Sequence, residues 1–454
     1  MNNLLKYSDK NKDIFLEELF ELLRIPSISA QSEHDEDTKD AALWLKKNLE
    51  KVGLENVAVM ETEGHPVVYA DYLKHKDRPT VLIYGHYDVQ SPDPLDEWKS
   101  EPFEPEIREG NIYGRGTADN KGQLFTHVKA IETLLNVEGE LPVNVKFLLE
   151  GEEEVGGPSL DKFIEDNKKL LKSDICVISD SHALSETQPL IDYGLRGIVY
   201  MQIDLSIMPQ DAHSGSYGGN IPNASMELVN ILNKLKDEET NKILIPDFYE
   251  NCRVLDNKEL EELASSPLSE KSIKNETGVK AVFGEEGFDI GVRAGGRPSL
   301  DINGMHSGYT MEGAKTIIPA KASAKVSMRI VPNQTADEIK DKFIKYIKEI
   351  APDYVDISME YISGGEPIIM DKDNKYFKFA EIAMEEAFGN KPIYELQPAS
   401  IPVTATVKHI LDIDSILMGF GLPDDGLHAP NEKMKLDMFY KGIETSLRFF
   451  KAFK

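Results

Sequence analysis

Leu148-Leu149-Glu150-Gly151-Glu152-Glu153-Glu154-Val155-Gly156-Gly157 is the stretch on which the reading of the fold turns. Val143 to Leu149, just before and into it, is rich in apolar and β-branched residues and reads as a buried strand. The acidic cluster and the two glycines then read as a turn, and Pro158 marks the expected start of a helix. Carboxylates placed where a strand stops and a helix begins sit at the carboxyl edge of a sheet, where open α/β folds bind ligands. A solvated acidic run is the alternative for such a triplet taken alone.

The neighbouring stretches repeat the arrangement. Thr80 to Tyr84 is an apolar strand whose end delivers His86 and, two residues on, Asp88. Residues two apart on an extended chain point the same way, so Asp88 can reach the imidazole and fix its orientation. Ile175 to Ile178 is a strand ending at Ser179-Asp180, with Cys176 as a small buried residue. Gly114 to Gly122 is a glycine-rich loop before a helix with Leu124, Val128, Ile131 and Leu135 on one face. Asp119 in that loop reads either as an ordinary N-cap or as a carboxylate that bridges two cations.

Composition bounds the function. The 454 residues exceed what one core usually organises, so two domains are expected. Asp and Glu number 79 against 51 Lys and Arg, and the net charge of -28 repels phosphate backbones, which excludes nucleic acid as a partner. Two cysteines, Cys176 and Cys252, make no disulfide framework. The amino-terminal residues lack the apolar core of a signal peptide and no stretch approaches 18 apolar residues, so no membrane segment and a cytoplasmic location are expected.

Upstream, helices are expected over about 10–24 and 37–51, and strands over 57–60 and 66–72. Beyond the acidic stretch comes a helix over 160–171. At Tyr193-Gly194-Leu195-Arg196-Gly197 the character changes to strand (198–207), helix (224–236), a long irregular insert (240–296), strand (322–330), helix (336–350) and strand (354–361). His213 lies there in a polar, glycine-rich run. From Pro367 the first pattern returns, with a helix (377–388), a strand (415–419), a loop carrying His428 and a final helix (435–450). The domains are therefore 1–192 with 367–454, and an inserted 193–366.

His86, Asp119, Glu153, Glu154, Asp180 and His428 supply two imidazoles and four carboxylates without thiolate, a donor set for Zn²⁺, Co²⁺ or Mn²⁺. The carboxylates are too many for one tetrahedral ion; the arithmetic fits two ions, five ligands and one general base. Spacing alone does not say which residue does which.

Six motifs in order resemble the M20 family of metallopeptidases over nearly the whole chain: His86-Tyr87-Asp88-Val89; Gly114-Arg115-Gly116 with Asp119-Asn120-Lys121-Gly122; Glu150 to Glu154; Tyr193 to Gly197; His213-Ser214-Gly215; and His428-Ala429-Pro430-Asn431-Glu432. The resemblance is nearest to the branch of cytosolic nonspecific and carnosine dipeptidases. It implies an α/β catalytic domain with a mixed central sheet flanked by helices, plus an inserted α+β, ferredoxin-like lid that carries homodimer contacts. It further implies two divalent ions, zinc ahead of manganese or cobalt. His86 and Asp180 would hold one, Glu154 and His428 the other, and Asp119 would bridge both. Glu153 would be the general base, Asp88 the partner of His86, and His213 a support for the oxyanion in the partner subunit's site. Arg329 would meet the substrate carboxylate, and Ser400 lies in a pocket loop. That loop reads Leu396-Gln397-Pro398-Ala399-Ser400-Ile401-Pro402 where the branch typically has Arg-Glu-Gly-Gly-Ser-Ile-Pro, and Ser363 stands where it often has His. The activity implied is metal-dependent hydrolysis of dipeptides or short peptides. An N-acyl-amino-acid deacylase uses the same machinery, and a silent dimeric binding protein is the alternative of another class.

Overall fold

The computed structural model describes residues 1–454 except Ser265, Pro267, Ala399 and Ser400 and the side chain of Glu276. The chain divides into two compact units, Met1–Tyr193 with Met370–Tyr394 and Pro402–Lys454, and Gly194–Ile369 with Glu395–Ile401.

In the first unit, apolar runs become adjacent strands in the order Glu55–Met60, Val67–Tyr72, Asn144–Glu150, Thr80–His86, Ile175–Ile178, Ser415–Met418 and Leu190–Leu195, the last crossing into the second unit. The four central strands are mutually parallel, whereas pairing toward both edges is antiparallel, so the sheet is mixed. Parallel strands buried on both faces read as continuous hydrophobic runs, which is why this part was legible. From Thr80–His86 the chain passes to Asn144–Glu150 on one side, then to Ile175–Ile178 on the other. That reversal makes a switch point, and the carboxyl ends of all three strands open at one edge.

The helix Lys121–Glu138 crosses between two of these strands and is buried along most of its length, not on one face alone. It packs against the final helix, Leu436–Lys451. The amino-terminal helix forms as two, Asn2–Lys10 and Lys12–Leu23. Likewise 160–171 is divided at Asn167, and no helix starts at Pro158: a 3₁₀ turn, Glu153–Val155, precedes Leu160–Asp166. Among the described residues no helix is long and apolar enough to cross a membrane.

His127, wholly buried on the central helix, lies between two hydroxyls, Ser179 Oγ at 2.8 Å from Nε2 and Ser446 Oγ at 3.0 Å from Nδ1. Burial pushes its pKa down to about 3. Between pH 6.5 and 3 the unfolded chain therefore binds a proton that the folded one refuses, and stability falls as pH drops through that window, by about 1.4 kcal/mol per pH unit for this group. His127→Gln is expected to flatten that slope in chemical denaturation between pH 6.5 and 4; an unchanged slope would contradict it.

The second unit runs strand, helix, strand, strand, helix, strand: Gly197–Ser206, Ala224–Asn233, Ser299–Ser307, Lys321–Ile330, Ala336–Ile350 and Asp356–Gly365. All pairings are antiparallel, in the spatial order Ser299–Ser307, Lys321–Ile330, Gly197–Ser206, Asp356–Gly365, which is the ferredoxin-like arrangement. Alternation explains its core: Val199, Met201, Ile203 and Leu205 face Leu228, Ile231, Ile339 and Phe343. The strand Ser299–Ser307 was not anticipated, and the insert holds three short helices, Asn257–Ala264, Glu270–Thr277 and Ile290–Gly296, where irregular chain was expected.

Candidate metal centre

His86 ends its strand wholly buried. Its Nδ1 lies 3.1 Å from the main-chain oxygen of Asp88 and 3.4 Å from Asp88 Oδ1, leaving Nε2 to face outward from the strand end. There it meets Asp119 Oδ1 at 3.1 Å and Asp180 Oδ1 at 3.7 Å. The other oxygen of Asp119, Oδ2, lies 2.9 Å from His428 Nε2, which in turn stands 3.2 Å from Glu154 Oε2. Two groups of donors result, His86 with Asp119 and Asp180, and Asp119 with Glu154 and His428, the donor atoms of each within 4.8 Å of one another. Asp119 belongs to both, one oxygen to each side.

Electrostatics in the centre favour a cation. Burial opposes charge on His86, yet Asp180, Asp119 and Asp88 lift its pKa well above the ordinary value. Asp119 and then Glu154 raise His428 to about 10, against a smaller effect of burial. Burial would raise Asp119, but His428 and His86 outweigh it and hold its carboxyl below the usual range. Each imidazole is thus drawn toward a positive charge by carboxylates that would equally well coordinate a divalent ion. Neutral nitrogen plus carboxylate oxygen suits zinc, manganese or cobalt, so the residues present fit the group that the sequence implies.

The three consecutive glutamates Glu152, Glu153 and Glu154 separate by role. Glu152 is structural, accepting from the backbone N–H of His65 at 3.0 Å and of Ser159 at 3.2 Å. Glu154 turns to the second donor group, its Oε2 also accepting from Gln90 Nε2 at 3.0 Å. Glu153 belongs to neither group. Burial pushes its pKa up to about 8, with Asp180, Glu154 and Asp119 adding to the rise and His86 opposing it. A carboxylate poised near neutrality beside two donor groups has the properties of a general base.

Asp88 does more than face His86. Its carboxylate accepts from the backbone N–H of Glu153 at 3.2 Å and of Glu154 at 3.0 Å, and from Ser29 Oγ at 2.7 Å. The first turn carrying Glu153 and Glu154 is therefore capped by Asp88, two residues after His86, which locks strand end and acidic turn together. Asn120 makes the corresponding tie on the other side, donating through Nδ2 to Asp180 Oδ1 at 2.9 Å and to the main chain of Ser179. Gly85 leaves room for it: a Cβ there would fall 3.0 Å from Asn120 Oδ1 and 2.9 Å from Leu124 Cδ1. The Asp119–Asn120 peptide bond is cis. Sequence reading did not single out Ser29, Gln90 or Asn120; of the three, only Asn120 lies in a quoted motif.

His213 and Arg329 belong to the second unit. His213 is exposed at the end of the short strand Ala212–His213, and its Nδ1 accepts from the backbone N–H of Gly215 at 3.0 Å. Arg329 lies on Lys321–Ile330, opposite Ser299 and Ile198, on the sheet face away from the two helices. Ser400 lies outside the described residues.

Comparison with known proteins agrees along almost the whole chain. The Cys-Gly metallodipeptidase DUG1 of Candida albicans is 31% identical over 459 residues, covering 96% of this chain and 93% of that protein. Human Beta-Ala-His dipeptidase is 30% identical over 390 residues, 85% of this chain and 77% of that one. Among solved structures, the M20 family metallo-carboxypeptidase Sso-CP2 from Sulfolobus solfataricus superposes with a TM-score of 0.86 at 33% identity, covering 97% of this chain and 99% of that one. The model of Peptidase family M20/M25/M40 matches residues 82–452, from the strand that delivers His86 to the helix after His428, and the chain belongs to that family.

Proposed function

We propose that this protein is a metallodipeptidase that cuts the amide bond next to the carboxyl-terminal residue of dipeptides and short peptides. The observation that carries the reading is Asp119 standing between two donor groups with Glu153 beside them. Relatives described as Cys-Gly and Beta-Ala-His dipeptidases, and one described as a metallo-carboxypeptidase, have in common a scissile bond adjoining a residue with a free carboxylate.

His86, Asp119 and Asp180 would hold one ion, Asp119, Glu154 and His428 the other, with zinc favoured over manganese or cobalt. When bound, the pair supplies Lewis acidity and lowers the pKa of water. Glu153 takes a proton from the attacking water and returns it to the leaving amine. Asp88 keeps the turn bearing Glu153 in register with His86. Arg329 pairs with the substrate carboxylate, and His213 of the partner subunit donates to the carbonyl oxygen as negative charge develops on it. Residues 193–366 act as lid and dimerisation domain, and 1–192 with 367–454 as catalytic domain. Exposed apolar side chains on Ala224–Asn233 (Met226, Val229) and on Ser299–Ser307 (Ile302, Met305) support pairing through the second unit. We place the enzyme in the cytoplasm, in keeping with two free thiols, Cys176 and Cys252.

The test is a substrate panel in metal-free buffer with Zn²⁺, Mn²⁺ or Co²⁺ added back: dipeptides, tripeptides, and N-acetyl and N-succinyl amino acids. Metal-restored cleavage of free-amino dipeptides is expected. Cleavage of the acylated substrates alone would overturn the reading in favour of a deacylase. For the shared site, His213→Ala and Glu153→Ala proteins, each inactive alone, are expected to regain part of the turnover when mixed as heterodimers. Mixtures as inactive as their components would contradict a site completed by the partner.

A further inference from the structure

Neither Arg115 nor Glu432 belongs to a donor group, yet both are buried beside Asp119. Glu432 is wholly buried and Arg115 is 1% exposed. Glu432 Oε1 accepts from the backbone N–H of Ala118 at 2.9 Å and of Asp119 at 3.1 Å. Its Oε2 accepts from the backbone N–H of Gly116 at 2.9 Å and from Arg115 Nη1 at 2.7 Å. One carboxylate thus gathers the loop that presents the shared ligand. Arg115 reaches the other way, its Nη2 donating to the main-chain oxygens of Ser91 at 3.2 Å and Ala429 at 3.3 Å. Ala429 follows His428 directly, and Glu432 lies four residues beyond it. The pair therefore clasps the loop of Asp119 to the loop of His428, more than 300 residues apart in the chain.

The two histidines differ in how they are held. His86 is wholly buried, and Asp88 occupies its second ring nitrogen. The His428 side chain is 56% exposed, and among the described residues its Nδ1 has no partner. A ligating imidazole is ordinarily aimed by a hydrogen bond at its second nitrogen. With none present, the aim of His428 falls on its backbone, held at a φ of +61° that a non-glycine residue rarely adopts. Asn431, at φ +63°, adds to the same loop by donating to the main chain of Glu97 at 2.8 Å and accepting from the N–H of Lys99 at 2.8 Å.

We propose that Arg115 and Glu432 are positioning residues that set His428 against Asp119, and so govern affinity for the ion held by Asp119, Glu154 and His428. The group of His86, Asp119 and Asp180 has its own supports in Asp88 and Asn120 and depends on the clasp less. A purely structural ion pair would change stability without choosing between ions. The proposal rests on the two-ion reading above and is tested apart from turnover.

Apo-protein is titrated with Zn²⁺ against a chromophoric chelator, for wild type, His428→Ala, Arg115→Lys and Glu432→Gln. His428→Ala identifies the binding step that belongs to the second group. Arg115→Lys and Glu432→Gln are expected to weaken that same step about tenfold to a hundredfold, with the other step within about threefold of wild type. Wild-type affinity at both steps in a variant with native circular dichroism, or equal weakening of both, would overturn the assignment. Should Glu432→Gln fail to fold, Arg115→Lys carries the test alone, because it keeps the buried positive charge and removes only the reach to Ser91 and Ala429. A wild-type titration with a single step contradicts the two-ion reading itself, and this assignment falls with it.

Discussion

Glu153→Gln is expected to lower kcat by about 10²- to 10⁴-fold while leaving metal content and substrate affinity close to wild type. The amide has the shape of the carboxylate but cannot take a proton from water. Glu153 belongs to neither donor group, so removing its charge leaves both intact. Its pKa, pushed up to about 8 by burial first and by Asp180, Glu154 and Asp119 after it, is that of a group surrounded by negative charge. Divalent cations between those carboxylates would draw it downward, toward a base that is ionised at neutral pH. The acid limb of kcat/KM in the wild type is accordingly expected to follow this group and to vanish in the variant. Near-normal turnover, or loss of an ion, would contradict the assignment. Stopped assays with Glu153→Gln, alongside metal analysis of the same sample, separate the two.

Asp119→Ala has the broader consequence. Asp119 alone is common to both groups, with Oδ1 toward His86 and Oδ2 toward His428. Its loss is expected to weaken both ions by more than the about 10- to 100-fold that loss of an outer support costs. Hydrolysis then falls to background even with metal in excess. Asp180→Ala, which touches one group only, is expected to leave the second ion bound. Calorimetric titration of the two variants side by side makes the comparison. If Asp119→Ala lost one ion and kept the other at wild-type affinity, the bridging role would be wrong.

What could be read in advance follows from the range of each interaction. The strands Thr80–His86, Asn144–Glu150 and Ile175–Ile178 are buried on both faces, so local sequence is uniform enough to identify them and to place His86, Glu153, Glu154 and Asp180 at their ends. Ser299–Ser307 escaped because it is an edge strand: most of its residues are exposed, and Ser-Leu-Asp-Ile-Asn-Gly-Met-His-Ser carries too little apolar signal to stand out. The helices of the insert are seven or eight residues long and mostly polar on the outside, below the length at which periodicity is persuasive. The break at Asn11 and the division at Asn167 fall inside stretches whose apolar spacing runs on as if uninterrupted.

The supports of the centre were hidden for a different reason. Asp88 was read as a partner for His86, but its bonds to the N–H groups of Glu153 and Glu154 join residues 65 and 66 apart. Glu432 was visible only as the last letter of a motif, because the backbone donors it gathers lie more than 300 residues earlier. Local patterns name side chains with the right chemistry. Long-range hydrogen bonds decide which of them are ligands and which hold the ligands in place.

The most direct test is anomalous diffraction from crystals of the Zn²⁺-loaded protein. Two zinc peaks are expected, one on each side of the Asp119 carboxylate, each about 2.0–2.2 Å from an Asp119 oxygen. One should be shared with His86 Nε2 and Asp180, the other with Glu154 and His428 Nε2. A single peak, or two peaks of which Asp119 touches only one, would contradict the shared centre on which the proposed hydrolysis depends.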